Sequence, residues 1–469
     1  MVINTYPALR TLLGSAALCV GLSAQSPIGV LISGQSRTGF TVQGAGARAM
    51  GLGGAFIAVA DDATAASFNP AGLAQLLKPE ITFVGRDLQR RVSYEEFQTT
   101  SKGRQLEVSD SLVGSNHFDP MLLAATIPLR VGGRNLAIQF SAQRAFALGE
   151  GDSRNLTETP LDATGNPVIS KLKQSIQQSG QIDLYSVAIA YECSQRILLG
   201  LTYNQWRGRW DLDTTMSKGA TGTESYLRYR QANSLDGQNF NVGLIWRWPT
   251  WSLGLVHRTP FRSGYSFNSQ TDTNVTGSGS RTSEPDLGLH WPVSTGVGYA
   301  YRPSERWLFT SDLEHTAWSQ AKFMTQDRLN GQDFFNLSRT AVPNATVFRL
   351  GAETLWLTPK GLLVPFRVGA TREPQPLVDP LTGQQRVMYG LTLGTGLKHG
   401  RYTFDVAYRY GWAKRQATQF LDVDQLLAGT NTKSVGTERT AEQRLDFSLI
   451  VQFERQPLEA LLRHLFVGD

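Results

Sequence analysis

The sequence is poor in the features that mark most soluble enzymes and helical membrane proteins. Of its 469 residues only 18% are charged, and two are cysteine. An ordinary soluble domain carries about 25% charged residues, so the low charge points toward a membrane. Yet no apolar run in the body of the chain reaches the ~20 residues that a spanning helix needs. The one long run, Leu12 to Leu22, follows Arg10 and precedes the small residue Ala24. That order is the pattern of a secretory signal peptide over residues 1–24. Cys19 follows Leu18, where a lipid-attachment cysteine needs a small residue, so lipidation is excluded. Cleavage leaves Cys193 alone, which excludes an internal disulfide and a cysteine metal cluster.

Catalytic and nucleotide signals are missing too. His117, His257, His290, His315, His399 and His464 are scattered without metal spacing, and there is no G-x-S-x-G. Ser252 and His257 are five apart on one strand, hence on opposite faces. No G-x-x-x-x-G-K-[ST] or strand-fed dinucleotide fingerprint accompanies the glycines. The net charge of +6 arises from basic residues mixed with acids, not from a basic stripe. This excludes a nucleic-acid partner and suits contact with anionic lipid headgroups. The chain therefore reads as a non-enzyme with no cofactor and no metal.

What is present is alternation. In 239–248, Phe240, Val242, Leu244, Trp246 and Trp248 share one face; Asn239, Asn241, Gly243 and Arg247 share the other. In 402–410 the outer face is Tyr402, Phe404, Val406, Tyr408 and Tyr410, the inner Thr403, Asp405, Ala407 and Arg409. Segment 293–302 repeats the pattern. Period-two stretches of about ten residues with one apolar face are the signature of membrane-spanning strands. Fourteen are expected, near 80–90, 120–129, 134–144, 180–192, 195–207, 237–248, 250–258, 288–301, 305–317, 345–356, 362–372, 387–398, 400–411 and 441–453. Short turns follow the even strands, for example at Val131-Gly132-Gly133 and Pro303-Ser304, and long polar loops follow the odd ones.

Aromatic residues make up 10%, and Trp206, Trp210, Trp246, Trp248, Trp307, Trp318, Trp356 and Trp412 lie near strand ends, at girdle positions. The expected fold is all-β: a fourteen-stranded antiparallel transmembrane β-barrel over residues 80–453, in the bacterial outer membrane with both termini periplasmic. Residues 454–469 place Leu458, Leu461, Leu462, Leu465 and Phe466 at helical spacing, a short amphipathic periplasmic tail.

Eight strands fill a barrel with side chains and sixteen leave an aqueous channel, so a fourteen-stranded lumen calls for a plug. Residues 25–79 supply one, an N-terminal hatch rich in small residues, with Asn69-Pro70 suited to a helix start. Within it, 46–56 (GARAMGLGGAF), 61–64 (DDAT) and 69–73 (NPAGL) resemble the hatch of the FadL family of long-chain fatty-acid and hydrocarbon transporters. The stretches 253–260 and 292–303, continuing through Trp307 and Asp312 to Trp318, are similar to later strands of that family. The resemblance runs from about Gly44 to Phe453.

It implies a hatch motif at Gly51, Gly53, Gly54, Asp61, Asp62, Asn69, Pro70, Ala71 and Gly72. It also implies passive uptake of hydrophobic small molecules, released sideways through the wall, with outer-membrane lipid and lipopolysaccharide as surroundings. A sister branch serves a protein secretion system, which makes a secretion partner the alternative. The tail beyond Phe453 departs from the fatty-acid members. Loop aromatics Phe261, Tyr265 and Phe267, and Phe323, Phe334 and Phe335, are candidates for apolar capture. Arg247, Asp312, Glu314, Arg349, Glu353, Arg367, Asp405, Arg409 and Asp446 should face inward and pair with one another. The purified protein is expected to be heat-modifiable on gels with a β-dominated circular dichroism spectrum; a helical spectrum would refute the fold.

Overall fold

The structure is a computed structural model describing residues 44–95, 98–101, 104–108, 117–158, 170–220, 223–273, 280–324, 343–359, 362–378, 383–419 and 434–454. The expected signal peptide, residues 25–43 of the hatch, Phe334, Phe335 and the tail from 455 fall outside them. Among the described residues, fourteen wall strands hydrogen-bond in sequence order. They are β1 Glu80–Glu95, β2 His117–Val131, β3 Arg134–Ala147, β4 Ser170–Glu192, β5 Ile197–Ala220, β6 Thr223–Arg247 and β7 Trp251–Arg258. Then come β8 Ser294–Ser304, β9 Trp307–Thr316, β10 Ala345–Leu357, β11 Leu363–Val378, β12 Gln385–His399, β13 Tyr402–Gln419 and β14 Ser434–Gln452. β1 pairs antiparallel with β14 from Glu80↔Gln452 to Glu95↔Thr437, which closes the barrel and leaves the wall no free edge.

The turns explain themselves locally. Gly132 and Gly133 join β2 to β3 at φ 58° and 78°, the two left-handed positions of a type I′ hairpin. β7 stops at Thr259-Pro260 and resumes as Phe261–Thr273; opposite it, β8 is preceded by Ser280–Trp291 and a break at Pro292-Val293. Proline has no N–H for the ladder. The Thr259 hydroxyl accepts from the Phe240 N–H at 3.0 Å and repairs part of the loss.

The outward face is apolar. Leu199, Leu201, Phe240, Val242, Leu255, Val297, Leu313, Val368, Leu391 and Phe404 are all exposed on it. Trp246, Trp307 and Trp356 stand outward near the short-turn end, and Tyr185, Tyr389, Tyr410 and Trp412 nearer the long-loop end. Trp206, Trp210 and Trp318 do not belong to these girdles, contrary to expectation: they are 5%, 2% and 5% exposed and face the lumen. Arg247 is corrected in the other sense. It lies at the short-turn rim, half-exposed, on Glu192 at 2.9 Å.

Strand length brings a further correction. A long loop is expected after residue 207, but β5 and β6 run on as 24 and 25 residues, paired from Ile197↔Trp246 to Ala220↔Thr223. At ~3.3 Å per residue such a strand measures about 80 Å along its axis, several times the ~25 Å apolar band of a membrane barrel. The chemistry of the two faces inverts partway. On β5 the outward residues change from Leu199, Leu201 and Tyr203 to Gln205, Arg207, Arg209 and Asp211. The inward ones change from Gly200, Thr202 and Asn204 to Trp206, Gly208, Trp210 and Leu212. Parity never breaks; the apolar side moves from outside to inside. Above the belt, this part of the wall is built as a water-soluble sheet would be.

Val297→Arg, in the apolar belt, is expected to cost about 2–4 kcal/mol, whereas Arg209→Glu, outward but above it, is expected to be nearly neutral. Urea titration of folding into lipid bilayers measures both.

Candidate functional site: the plugged lumen

Residues 44–79 occupy the lumen. They form one short helix, α1 Ala47–Gly51, and two 3-10 turns, Ala65–Ser67 and Pro70–Gln75. With so little regular structure, most plug N–H and C=O groups need partners from elsewhere, and the wall provides many. Ser448 Oγ accepts from the Ala47 N–H at 2.7 Å. Thr392 accepts from the Gly53 N–H at 3.0 Å and donates to the Gly51 carbonyl at 3.1 Å. One oxygen of Asp312 accepts from the N–H groups of both Phe56 and Ile57, at 2.7 and 3.0 Å. Thr310 donates to Ala55 O, Ser252 to Ala58 O, and Gln139 to Ala63 O. Asn135 reaches the Ala74 and Leu76 carbonyls at 2.7 and 2.6 Å.

These bonds require the plug backbone to touch the wall, and glycine permits it. A Cβ on Gly200 would lie 2.3 Å from Ala71 N, on Gly243 2.1 Å from Asn69 Oδ1, and on Gly254 2.4 Å from Ile57 O. On Gly351 it would meet Leu52 O at 2.5 Å, on Gly369 Gly53 N at 2.2 Å, and on Gly394 Gly51 Cα at 2.9 Å. Inward glycines on β5, β6, β7, β10, β11 and β12 thus bear directly on the plug. No side chain fits between them and it.

The hatch-motif residues can be placed one by one. Gly51 and Gly53 meet Gly394 and Leu350 O; Gly53 and Gly54 adopt φ 68° and 79°, where a side chain is strained. Asp61 binds Arg48 of the plug and Arg302 of β8, the latter at 3.3 Å. Asp62 accepts from the Thr64 N–H at 2.8 Å, and burial pushes its carboxyl above the ordinary pKa against the pull of Arg48. Asn69 caps the Pro70–Gln75 turn by accepting from Ala71 N and donates to Ile57 O and, on β6, to Leu244 O. Gly72 packs on the Ala60 carbonyl, closer than any Cβ allows.

Around this plug the lumen has two unlike sides. From β9 round to β1 it is ionic. Arg349 holds Glu314 at 2.9 Å; Arg367 holds Glu353 and Asp405, both at 2.6 Å; Arg409 holds Glu373 and Glu442; Arg86 holds Asp446. Arg48 of the plug joins at Glu353. The expected inward charges other than Arg247 are buried here, Asp312 as an anchor and the rest in ion pairs. Asp312 and Glu314 therefore have structural partners, while Ser252 and His257 are separated across the wall, His257 outside on Thr295.

From β3 to β9 the side toward the long loops is aromatic. Phe146, Trp206, Trp210, Phe261, Tyr265, Phe267, Trp291 and Trp318 form one buried cluster with Ile182, Leu184 and Leu235. Ring centroids lie 5.1 Å apart for Trp206–Phe261, 5.3 Å for Trp206–Trp291 and 5.8 Å for Phe261–Trp291. Phe261, Tyr265 and Phe267 are thus brought together, inside the wall rather than on loops. Trp206, Trp210, Trp291 and Trp318 join them without having been expected there from sequence; strand parity carries the signal for Trp206 and Trp210. Phe323 lies in a short strand, Lys322–Met324, that pairs with Ser280–Trp291 at Leu289.

Gly369→Leu, or Asp312→Ala, should loosen the plug and raise single-channel conductance in planar bilayers above that of the native protein. Asp312→Ala strips two amides of their acceptor, at about 1–3 kcal/mol each. Unchanged conductance in both would count against the seal.

No protein-family model matches this sequence, and no curated protein does. Solved structures share its fold. A FadL homologue from Pseudomonas aeruginosa superposes with a TM-score of 0.65 at 12% identity, over 89% of this chain and 100% of that one. The monoaromatic hydrocarbon channel CymD gives 0.55 at 14%, over 88% and 99%. The toluene transporter TodX of Pseudomonas putida gives 0.54 at 13%, over 88% and 100%.

Proposed function

We propose that this chain, which has the barrel fold of the FadL-type channels, carries hydrophobic small molecules passively across the bacterial outer membrane. The observation that carries the reading is the aromatic cluster at the long-loop end of a plugged lumen, with Phe261, Tyr265, Phe267, Trp206 and Trp291 at its centre. A solute gains about 0.8 kcal/mol for each CH₂ that leaves water, so entry needs no coupled energy source. The exposed apolar belt and its Trp and Tyr girdles suit outer-membrane lipid. With the short turns read as periplasmic, as is usual for such barrels, both termini would lie on that side and the β5–β6 extension outside the cell. In this reading the hatch-motif residues hold the seal, the aromatic cluster captures, and the protein performs no chemistry on its cargo. The solved relatives described above as a channel and a transporter support that class of role.

The test is uptake of radiolabelled long-chain fatty acid, fatty alcohol and alkylbenzene by cells lacking their own outer-membrane transporter. This protein should restore uptake of at least one probe. Phe261→Asp should reduce it about tenfold or more, because a carboxylate offers the solute none of the apolar surface of the ring. A correctly inserted barrel that restores none would favour service to a secretion system instead.

A further inference from the structure

A small cavity of about 40 Å³, partly open to solvent, lies beside the aromatic cluster, between the plug and the wall of β2 to β7. Leu184 and Trp206 line it and also belong to the cluster, so the cavity borders the aromatic side chains directly. Its chemistry differs from everything around it. Among the described residues, its polar lining is amide and hydroxyl, with Arg258 the one charged side chain. Arg258 is already paired with Glu314. Asn204 and Asn239 are linked to each other at 3.0 Å, and Trp206 Nε1 donates to Asn239 at 2.9 Å. The Thr202 hydroxyl, 1% exposed, lines the cavity without a hydrogen-bond partner.

We infer that this cavity receives the uncharged polar head of an amphiphile, such as an alcohol, ketone or ester, while its apolar body lies in the aromatic cluster. The inference rests on the transport reading and narrows its substrate class. A carboxylate would be buried facing amides and a guanidinium that Glu314 has already neutralised, and an ion without its own counter-charge is strongly disfavoured in such a place. A plain hydrocarbon would displace water from polar groups and give them nothing in return. A hydroxyl or carbonyl head exchanges bonds with water for bonds with Thr202 and the amides, and its chain continues past Trp206.

The experiment is equilibrium binding of three radiolabelled probes to the full-length detergent-solubilised protein: a fatty alcohol, the fatty acid of equal chain length at mildly alkaline pH, and the matching alkane. Protein-free micelles supply the background. The alcohol should bind about tenfold tighter than either of the others, the ratio that one well-made buried hydrogen bond supports. Thr202→Val, nearly isosteric and breaking no existing bond, should weaken the alcohol about fivefold and leave the alkane unchanged; heat-modifiability checks that the variant has folded. Acid or alkane binding as tightly as the alcohol overturns the inference and leaves the transport reading standing. Alcohol affinity insensitive to Thr202→Val overturns the assignment of the head to this cavity. Failure of all three probes to bind overturns both the inference and the transport reading.

Discussion

The lumen is organised around an irregular segment whose backbone polar groups have to be satisfied where little water reaches. Residues 44–79 contain a five-residue helix and two 3-10 turns, too little to satisfy themselves. Side chains on β3, β7, β9, β12 and β14, from Asn135 to Ser448, make up part of the difference. Much else follows from it. Inward positions must be polar to serve the plug or glycine to let it approach, and the outward positions are left for lipid. The alternation of this wall therefore reflects two demands, one from the bilayer and one from the plug.

The unlike halves of the lumen divide the work. The ion pairs from β9 to β1 are buried and mutually dependent, and loss of one partner of such a pair typically costs about 3–5 kcal/mol. That side is suited to staying still. The opposite side offers amides, hydroxyls and aromatic rings, which exchange partners at much lower cost. Arg258 stands at the boundary: it binds Glu314 on the ionic side and lines the cavity on the other.

Much of the wall is legible in the sequence because period-two alternation is a local property. Each of the fourteen expected segments overlaps a wall strand, and the turns at Gly132-Gly133 and Gly400 sit where glycine is needed. Alternation misleads where lipid is taken to be the only reason for a strand. Residues 208–220 and 223–236 form strands because each neighbour supplies a full ladder, although outward Arg207, Arg209 and Asp211 offer lipid no apolar face. Distance along the chain suggests the girdle for Trp206 and Trp210, although they share parity with Thr202 and Asn204, which face inward. Other features lie beyond local inspection. That Asp312 serves Phe56 and Ile57 depends on a separation of some 250 residues, and nothing in either segment alone announces the other.

The seam between β1 and β14 joins the beginning of the barrel to its end. The plug is bound there too, through Ala47 and Ser448, 401 positions apart. β1 follows the plug directly, so the segment synthesised first is attached to the edge that must wait longest for its partner. Closing the wall then also brings in one of the bonds that hold the plug. Contacts of such sequence separation form slowly, and until they do, two unpaired strand edges and a plug lacking that bond coexist. An assembly factor that held the β1 edge open would thereby also keep the lumen accessible to its own stopper.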